Sequence, residues 1–165
     1  MLSNVGGVMS KTLKVFVLIS VCVLSAAGYV YAGGLSSTFV EEKLVDIKPG
    51  KMYSVEKMTK RALVVTNTTK DMTVDIQIVP EKPVDYNLVP GYKPIPDLSW
   101  VKIEHKYFKN VGPNQSVSTD IRITIPDNPQ YLGKKYQVYI YSHTAGKTSF
   151  RIGLMGRILL NIAEK

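Results

Sequence analysis

Apolar and polar residues alternate along most of the chain after residue 33, which is the pattern of β-strands with one buried face and one wet face. The clearest run extends from Val117 to Ile125. Pro126 follows it and lacks the amide hydrogen that would continue a strand ladder. The predicted buried face comprises Val117, Thr119, Ile121, Ile123 and Ile125, and the predicted solvent face comprises Ser118, Asp120, Arg122 and Thr124.

Further segments show the same strand character. Four of them are Phe39–Ile47, Arg61–Asn67, Met72–Val79 and Tyr136–Tyr141. A last segment, Ser149–Ile162, is long enough for one bent or bulged strand, or for two, because Gly153 and Gly156 interrupt its alternation. Turn-forming residues separate the segments, and no amphipathic helix of useful length is visible.

About seven short strands in a chain of this size predict an all-β fold, an antiparallel immunoglobulin-like two-sheet β-sandwich. The missing helices exclude a fold built on helical crossovers. A small closed barrel is the alternative, because counting strands does not distinguish a closed sheet from two stacked ones. The 165 residues suit a single domain, which we assign to residues 33–165.

Tyr136 begins a strand directly after a loop that contains Gly133. This placement is typical of a tyrosine corner, in which a buried ring bonds backbone a few residues upstream through its hydroxyl. The sequence therefore predicts a structural role for Tyr136. The alternative is an ordinary strand tyrosine.

The segment Lys60–Pro126 resembles a known family. Basic residues precede an apolar strand that ends in Asn67, and a turn centred on Pro113 precedes the alternating strand that ends in Ile125. In this order the chain resembles the N-terminal domain of PapD-like pilus chaperones, which are immunoglobulin-like periplasmic domains. The resemblance implies the fold. The second domain of those chaperones has no counterpart in this sequence, and their subunit-anchoring Arg and Lys pair maps onto no position of it.

The first 32 residues have the organisation of a secretory signal peptide. Lys11 and Lys14 precede an apolar run that leads to Val30-Tyr31-Ala32 and two glycines. Because a signal peptidase requires a small residue at the cut, we expect cleavage after Ala32. An uncleaved anchor is the alternative, but Val15–Ala27 is shorter than the roughly 20 residues that span a bilayer. We therefore expect an extracytoplasmic protein, periplasmic or secreted to the cell surface, with no membrane span after cleavage.

Two features of composition limit the chemistry of the mature chain. Cys22 is the only cysteine and precedes the expected cut, so the mature chain would form no disulfide. The net charge of +8 falls to +6 once Lys11 and Lys14 are removed. The cations are interspersed with acids, which is typical of a solvated surface rather than a nucleic-acid site. Weak attraction to an anionic envelope polymer remains open.

The sequence offers little for catalysis. It contains two histidines, His105 and His143, and neither has the spacing of a metal site or an acid–base pair. No nucleophile elbow, zinc-binding motif or phosphate loop is present. We therefore expect a protein that is not an enzyme and that uses no cofactor or metal. A small hydrolase with an unrecognised site is the remaining catalytic hypothesis.

The segment from Pro80 to Trp100 holds five of the nine prolines and predicts a long, stiff loop. Tyr86, Tyr92 and Trp100 lie in it, and rigid aromatic side chains are good anchors for a sugar or a protein partner. The alternative is that Trp100, and Tyr92 with it, folds back to cap one end of the core.

The last strand offers a second candidate surface. Phe150, Ile152 and Leu154 alternate along it, and an unpaired edge there would accept a strand from a partner protein. The alternative is a paired strand that completes the core of its own sheet.

These observations favour an exported, non-catalytic module that binds a protein partner in an envelope or surface assembly, or that acts as a chaperone-like accessory factor. A carbohydrate-binding module that uses the loop aromatics is the alternative. The sequence identifies neither the partner nor the oligomeric state.

Overall fold

The computed structural model describes residues 30–146 and 151–165, with side chains from residue 33 onward. The strands within this part of the chain are β1 (Val30–Ala32), β2 (Leu35–Ser37), β3 (Glu41–Ile47), β4 (Met52–Ser54), β5 (Leu63–Asn67), β6 (Val74–Glu81), β7 (Lys93–Pro94), β8 (Val101–Ile103), β9 (Tyr107–Val111), β10 (Ser116–Thr119), β11 (Ile121–Thr124), β12 (Lys135–Ala145) and β13 (Gly153–Ile162). One short helix, α1 (Val55–Thr59), and 3-10 turns at Asp85–Asn87, Leu98–Trp100 and Pro129–Tyr131 connect them.

The strands form the two layers of a sandwich. The first layer contains the sheets β1-β2-β5-β10 and β4-β11-β8, which are joined because only Asp120 separates β10 from β11. The second layer is the sheet β3-β13-β12-β6-β9, with β7 added beside β12. Most neighbours are antiparallel, and the long β12–β13 hairpin forms the centre of the second layer. The exceptions are β3, which runs parallel to β13, and the short β7, which runs parallel to β12.

The first strand region changes layers, and this explains why it is split. β2 pairs with β5 in the first layer, and three residues after Ser37 the chain has crossed to pair with β13 as β3. The crossing is made by Phe39, which is buried between the layers. The region from β9 to β10 crosses in the opposite sense, from the second layer to the first.

Alternating apolar residues fill the space between the layers, as the sequence pattern predicted. Along β10 and β11 the inward positions Thr119, Ile121 and Ile123 are buried. Position Val117 is half-buried and packs against the same core. The other inward residues that are buried include Val74, Ile76, Ile78, Ile125, Val138, Ile140, Ile158 and Leu160.

The predicted all-β sandwich is confirmed, and the separate sheets exclude the closed-barrel alternative. The described strand segments outnumber the predicted seven for two reasons. Strands are interrupted where they change sheets, and short strands such as β7 show no alternation of apolar and polar residues by which the sequence could reveal them. Ser149–Ile162 was expected to contain one bent strand or two. Its described part contains one strand, β13, whose register against β3 shifts between Leu160 and Ile162.

Tyr136 is buried, but its surroundings differ from a tyrosine corner. Among the described residues no hydrogen bond involves its hydroxyl, so the expected bond to backbone is not found. The ring instead packs edge-on against Trp100 (centroids 5.8 Å apart) and Tyr131 (6.5 Å). Burial raises the pKa of the Tyr136 hydroxyl, with a smaller contribution from Tyr131. Tyr136 therefore fixes this end of the core through ring packing.

Candidate functional site

The outer edge of β13 is paired over only part of its length. β12 covers one side of the strand from Gly153 to Asn161, whereas β3 covers the other side only from Arg157 onward. No strand of the described chain pairs with the outer edge between Gly153 and Met155. Met155 is also 44% exposed. The start of β13 is therefore an open strand edge.

The hydrogen bonds of β13 show which backbone groups face this edge. Thr144 N donates to Ile152 O at 2.8 Å, so even-numbered residues of β13 face β12. Arg157 N donates to Val40 O at 2.9 Å on the opposite side. Because the direction of backbone groups alternates along a strand, the amide and carbonyl of Met155 also point away from β12. They are available to an added strand.

A short hairpin lies beside this edge. β1 pairs antiparallel with β2, from Val30 opposite Ser37 to Ala32 opposite Leu35, and Gly34 makes the turn with φ of 127°. Both β1 and β2 lie against β13. We call the region between β2 and the Gly153–Met155 edge the side groove. Its β2 edge is occupied by β1, which is the segment that the predicted signal-peptide cut would remove.

The predicted residues of the last strand lie at different depths in this region. Phe150 lies outside the described residues. Leu154 is 5% exposed and belongs to the core. Ile152 is half-buried, and its Cδ1 lies close enough to Gly34 that an added Cβ there would be 2.8 Å away. Ile152 and Leu154 therefore face the interior, and the edge presents backbone and Met155.

The structure does not bring the three loop aromatics to one surface. Trp100 is 5% exposed and packs edge-on against Tyr131 with centroids 4.8 Å apart, so it belongs to the core and is not available as a surface anchor. Tyr92 is half-buried, and its hydroxyl donates to Asn161 Oδ1 at 2.7 Å. Tyr86, in contrast, is 86% exposed.

The proline-rich segment is fastened to the outside of the second layer rather than standing free. Lys93 and Pro94 pair in parallel with the start of β12. Gln137, which is fully buried, accepts a hydrogen bond from Val89 N at 2.9 Å and donates to Asn87 O at 3.1 Å. These bonds explain how an irregular loop holds a defined position, since each buried polar group has a partner. The sequence predicted a stiff loop but not the surface of β12 that the loop contacts.

Hydrogen bonds rather than ion pairs dominate the electrostatics at the β6–β9 edge. The Asp75 carboxylate accepts from Asn110 N at 2.8 Å and from the Tyr107 hydroxyl at 2.7 Å. The bond from Asn110, followed by that from Tyr107, lowers the pKa of Asp75. The same Asp75 contact raises the pKa of Tyr107.

One acid faces the interior near the start of β3. Glu42 is buried, and its carboxylate lies 3.8 Å from Arg61. Burial raises the pKa of Glu42, and the charge of Arg61 acts in the opposite direction. Its exposed neighbour Glu41 instead pairs with Arg157 of β13. The Glu41–Arg157 pair links β3 to β13 beside the open edge, whereas the Glu42–Arg61 contact links β3 to the segment before β5.

The described residues contain no cluster of three or more His, Cys, Asp or Glu side chains that would hold a metal. His105 is exposed, and its amide donates to Thr119 Oγ1 at 2.8 Å. His143 is buried, with Nδ1 at 2.9 Å from Thr144 O and its ring stacked on Tyr141. No helix in residues 30–146 and 151–165 has the length and apolar character needed to cross a membrane.

No family model matches the chain, and no curated protein matches its sequence. Solved structures do share its fold. The PapD-like domain 7 of human CEP192 is 10% identical with a TM-score of 0.51, and the match covers 86% of this chain and 97% of that domain. A protein of unknown function from Porphyromonas gingivalis is 14% identical with a TM-score of 0.51, covering 79% of this chain and 48% of that one.

A third match is a putative carbohydrate binding protein from Bacteroides ovatus, 8% identical with a TM-score of 0.52, covering 79% of this chain and 37% of that one. The chain thus spans about half or less of both bacterial proteins. These likenesses show the fold alone: the chain folds as a PapD-like immunoglobulin sandwich, and the predicted resemblance to PapD-like domains is confirmed at that level.

Proposed function

We propose that the protein is an exported, non-catalytic module that binds an extended segment of a partner protein by strand addition in the side groove. The observation that carries this proposal is that no strand within residues 30–146 and 151–165 pairs with the outer edge of β13 at Gly153–Met155, although β3 pairs with the same edge from Arg157 onward. Exposed edges of this kind are covered in most proteins, because they pair readily with other chains.

The ligand class follows from the groups that the groove presents. Backbone amides and carbonyls of β13 recognise another backbone, which gives affinity without requiring a particular sequence. Leu154 is buried and Ile152 is half-buried, so this part of β13 offers mainly its backbone and the Met155 side chain. An extended peptide matches this arrangement better than a compact small molecule does.

β1 supports this proposal, because a strand already lies along β2 beside the Gly153–Met155 edge. Val30–Ala32 pairs along β2 in the full chain. If the signal peptide is cut after Ala32 as expected, the mature protein loses this strand and β2 becomes an edge as well. The partner strand would then enter between two open edges, one from each layer.

The test replaces Met155 by Pro. The proline removes the amide that points into the groove and leaves the hydrogen bonds to β12 intact, because those come from even-numbered residues. Met155→Ala is the matched control, since it removes the side chain but keeps the amide. Partners are captured from the native envelope with each tagged variant.

We expect Met155→Ala to retain the captured partner and Met155→Pro to lose it, with both variants keeping the unfolding midpoint of the wild type within a few degrees. A benzophenone crosslinker at position 155 should join the partner, whereas one at Met52, which is 63% exposed on the first layer, should not. A Met155→Pro protein that is folded and still captures every partner rules out strand addition.

A further inference from the structure

The outer face of the second layer carries a row of rings that the partner groove does not use. Val138, Ile140 and Ser142 of β12 are buried, so Tyr139 and Tyr141, which alternate with them, point outward. Both tyrosines are half-buried. Successive outward residues on a strand lie about 7 Å apart. We call Tyr139 and Tyr141 the tyrosine row.

Each ring of the tyrosine row is fixed before any ligand arrives. The Tyr141 ring lies over Gly153, where an added Cβ would overlap the ring, and it stacks on His143 with centroids 4.8 Å apart and planes tilted by 30°. The Tyr139 hydroxyl donates to Asn87 O at 3.2 Å. Rings held in this way lose little conformational entropy on binding.

Polar side chains flank the row in the neighbouring strands. Tyr139 lies opposite Arg157 on one side and Glu81 on the other, and directly opposed residues share a face of the sheet. Arg157 is in turn paired with Glu41. Tyr141 lies between Met155 and Val79. Hydrogen-bonding groups therefore border the Tyr139 ring, and apolar groups border the Tyr141 ring.

We propose that the tyrosine row is a binding site for an uncharged glycan that lies along β12. A sugar ring has an apolar face, which stacks on an aromatic ring, and a rim of hydroxyls, which need hydrogen-bonding partners. The row supplies flat rings with a guanidinium and a carboxylate beside them. Because Arg157 is paired with Glu41 and Glu81 lies on the other side of Tyr139, these three side chains carry no net positive charge that would attract an acidic polymer. The two rings follow one another along β12, which suits a glycan chain rather than a monosaccharide.

This site differs from the carbohydrate site expected from the loop. Trp100 is in the core and Tyr92 bonds to Asn161, so the loop alone presents only Tyr86. Tyr86 precedes Asn87, whose carbonyl accepts hydrogen bonds from the Tyr139 hydroxyl and the Gln137 amide, so this part of the loop lies against β12 beside Tyr139. Tyr139 and Tyr141, for which the sequence predicted only a position in a β-strand, form the centre of the proposed site.

The experiment is affinity electrophoresis of the secreted protein in native gels that contain single polysaccharides. Mixed-linkage β-glucan, xylan and mannan serve as neutral probes, and alginate serves as an acidic one. We expect at least one neutral polysaccharide to retard the protein. Tyr141→Ala should weaken that retardation about tenfold, and Tyr141→Phe should keep it, because the ring and not the hydroxyl makes the contact.

Two further variants separate binding from folding. Gly153→Ala keeps every tyrosine but forces the Tyr141 ring off the face, so it should also lose retardation while unfolding cooperatively. Met52→Ala changes an exposed apolar residue of the first layer and should bind like the wild type. Retention by alginate alone, or full retardation of a folded Tyr141→Ala protein, overturns the assignment. The assignment is also overturned if no neutral polysaccharide retards the wild-type protein. That is the result expected if the tyrosine row contacts only the protein partner.

Discussion

The Tyr107 hydroxyl of β9 donates to the Asp75 carboxylate of β6 at 2.7 Å, across the edge where the register of these strands shifts. Asn110, whose φ of 55° is left-handed, directs its amide to the same carboxylate. A single acid thus holds the outer strand of the second layer through two donors. The ionisation state of Asp75 should therefore affect the free energy of unfolding.

Stability should fall in acid in a way that depends on Asp75. Its pKa is lowered in the folded state, so its contribution is present above the ordinary aspartate value of about 3.9 and is lost as the pH falls through the lower folded value. Denaturant midpoints measured from pH 6 down to pH 2 should drop less for Asp75→Asn than for the wild type. Asp71→Asn, at an exposed position in the preceding turn, should follow the wild type. Identical pH profiles for all three proteins would contradict the assignment.

The Tyr136 hydroxyl should contribute little to stability, because no hydrogen bond of the described residues involves it. We expect Tyr136→Phe to change the free energy of unfolding by less than about 1 kcal/mol. Trp100→Ala removes the ring against which Tyr136 packs and should cost about 3–5 kcal/mol. Urea unfolding measures both. A large loss in Tyr136→Phe would restore the tyrosine-corner interpretation.

Gly156 should not accommodate a side chain, because Phe39, just before β3, packs directly against it. An added Cβ would lie 2.6 Å from Phe39 Cδ1 and 2.7 Å from Phe39 O, and the backbone oxygen cannot move aside cheaply. Gly156→Ala should therefore lower the free energy of unfolding by about 1–3 kcal/mol. Gly33→Ala, where nothing lies within 4 Å, is the control and should leave it unchanged. Equal stabilities of the two variants would show that the crossing is loosely packed.

Asn67 should be a strong stability determinant despite its polar character. It is fully buried, and its amide donates to Met72 O at 2.7 Å and to Val111 O at 2.9 Å. Asn67→Ala leaves these carbonyls without that donor and should cost roughly 1–3 kcal/mol. Asn114→Ala changes an exposed asparagine in the turn before β10 and should cost less. Thermal unfolding of both proteins makes the comparison, and a larger loss at Asn114 would refute this ranking.

Export should yield a chain that begins at Gly33. Val30-Tyr31-Ala32 gives the peptidase a small terminal residue, and cleavage requires that this segment is extended and not yet paired with β2. Intact-mass measurement of the secreted protein checks this. A product that still contains Val30 would mean that β1 stays in the side groove.

Much of the fold follows from local pattern, because a strand with one buried face repeats every two residues and proline or glycine ends it. The alternation at Val74, Ile76 and Ile78, and again at Ile121 and Ile123, was sufficient to predict which face lies in the core. The same pattern, together with turn chemistry, was sufficient for the sandwich class and the likeness to PapD-like domains.

Tertiary structure alone decided which edges are open and which aromatic residues are accessible. Edge pairing depends on the alignment of residues far apart in sequence, such as Arg157 with Glu41, and no local period encodes it. Trp100 and Tyr141 are both aromatic residues in strand-rich parts of the sequence. Trp100 packs in the core against Tyr131 and Tyr136, whereas Tyr141 points outward and lies over Gly153. The sequence determined the alternation of faces, and the packing of the two layers determined which strand edges and which aromatic rings lie at the surface.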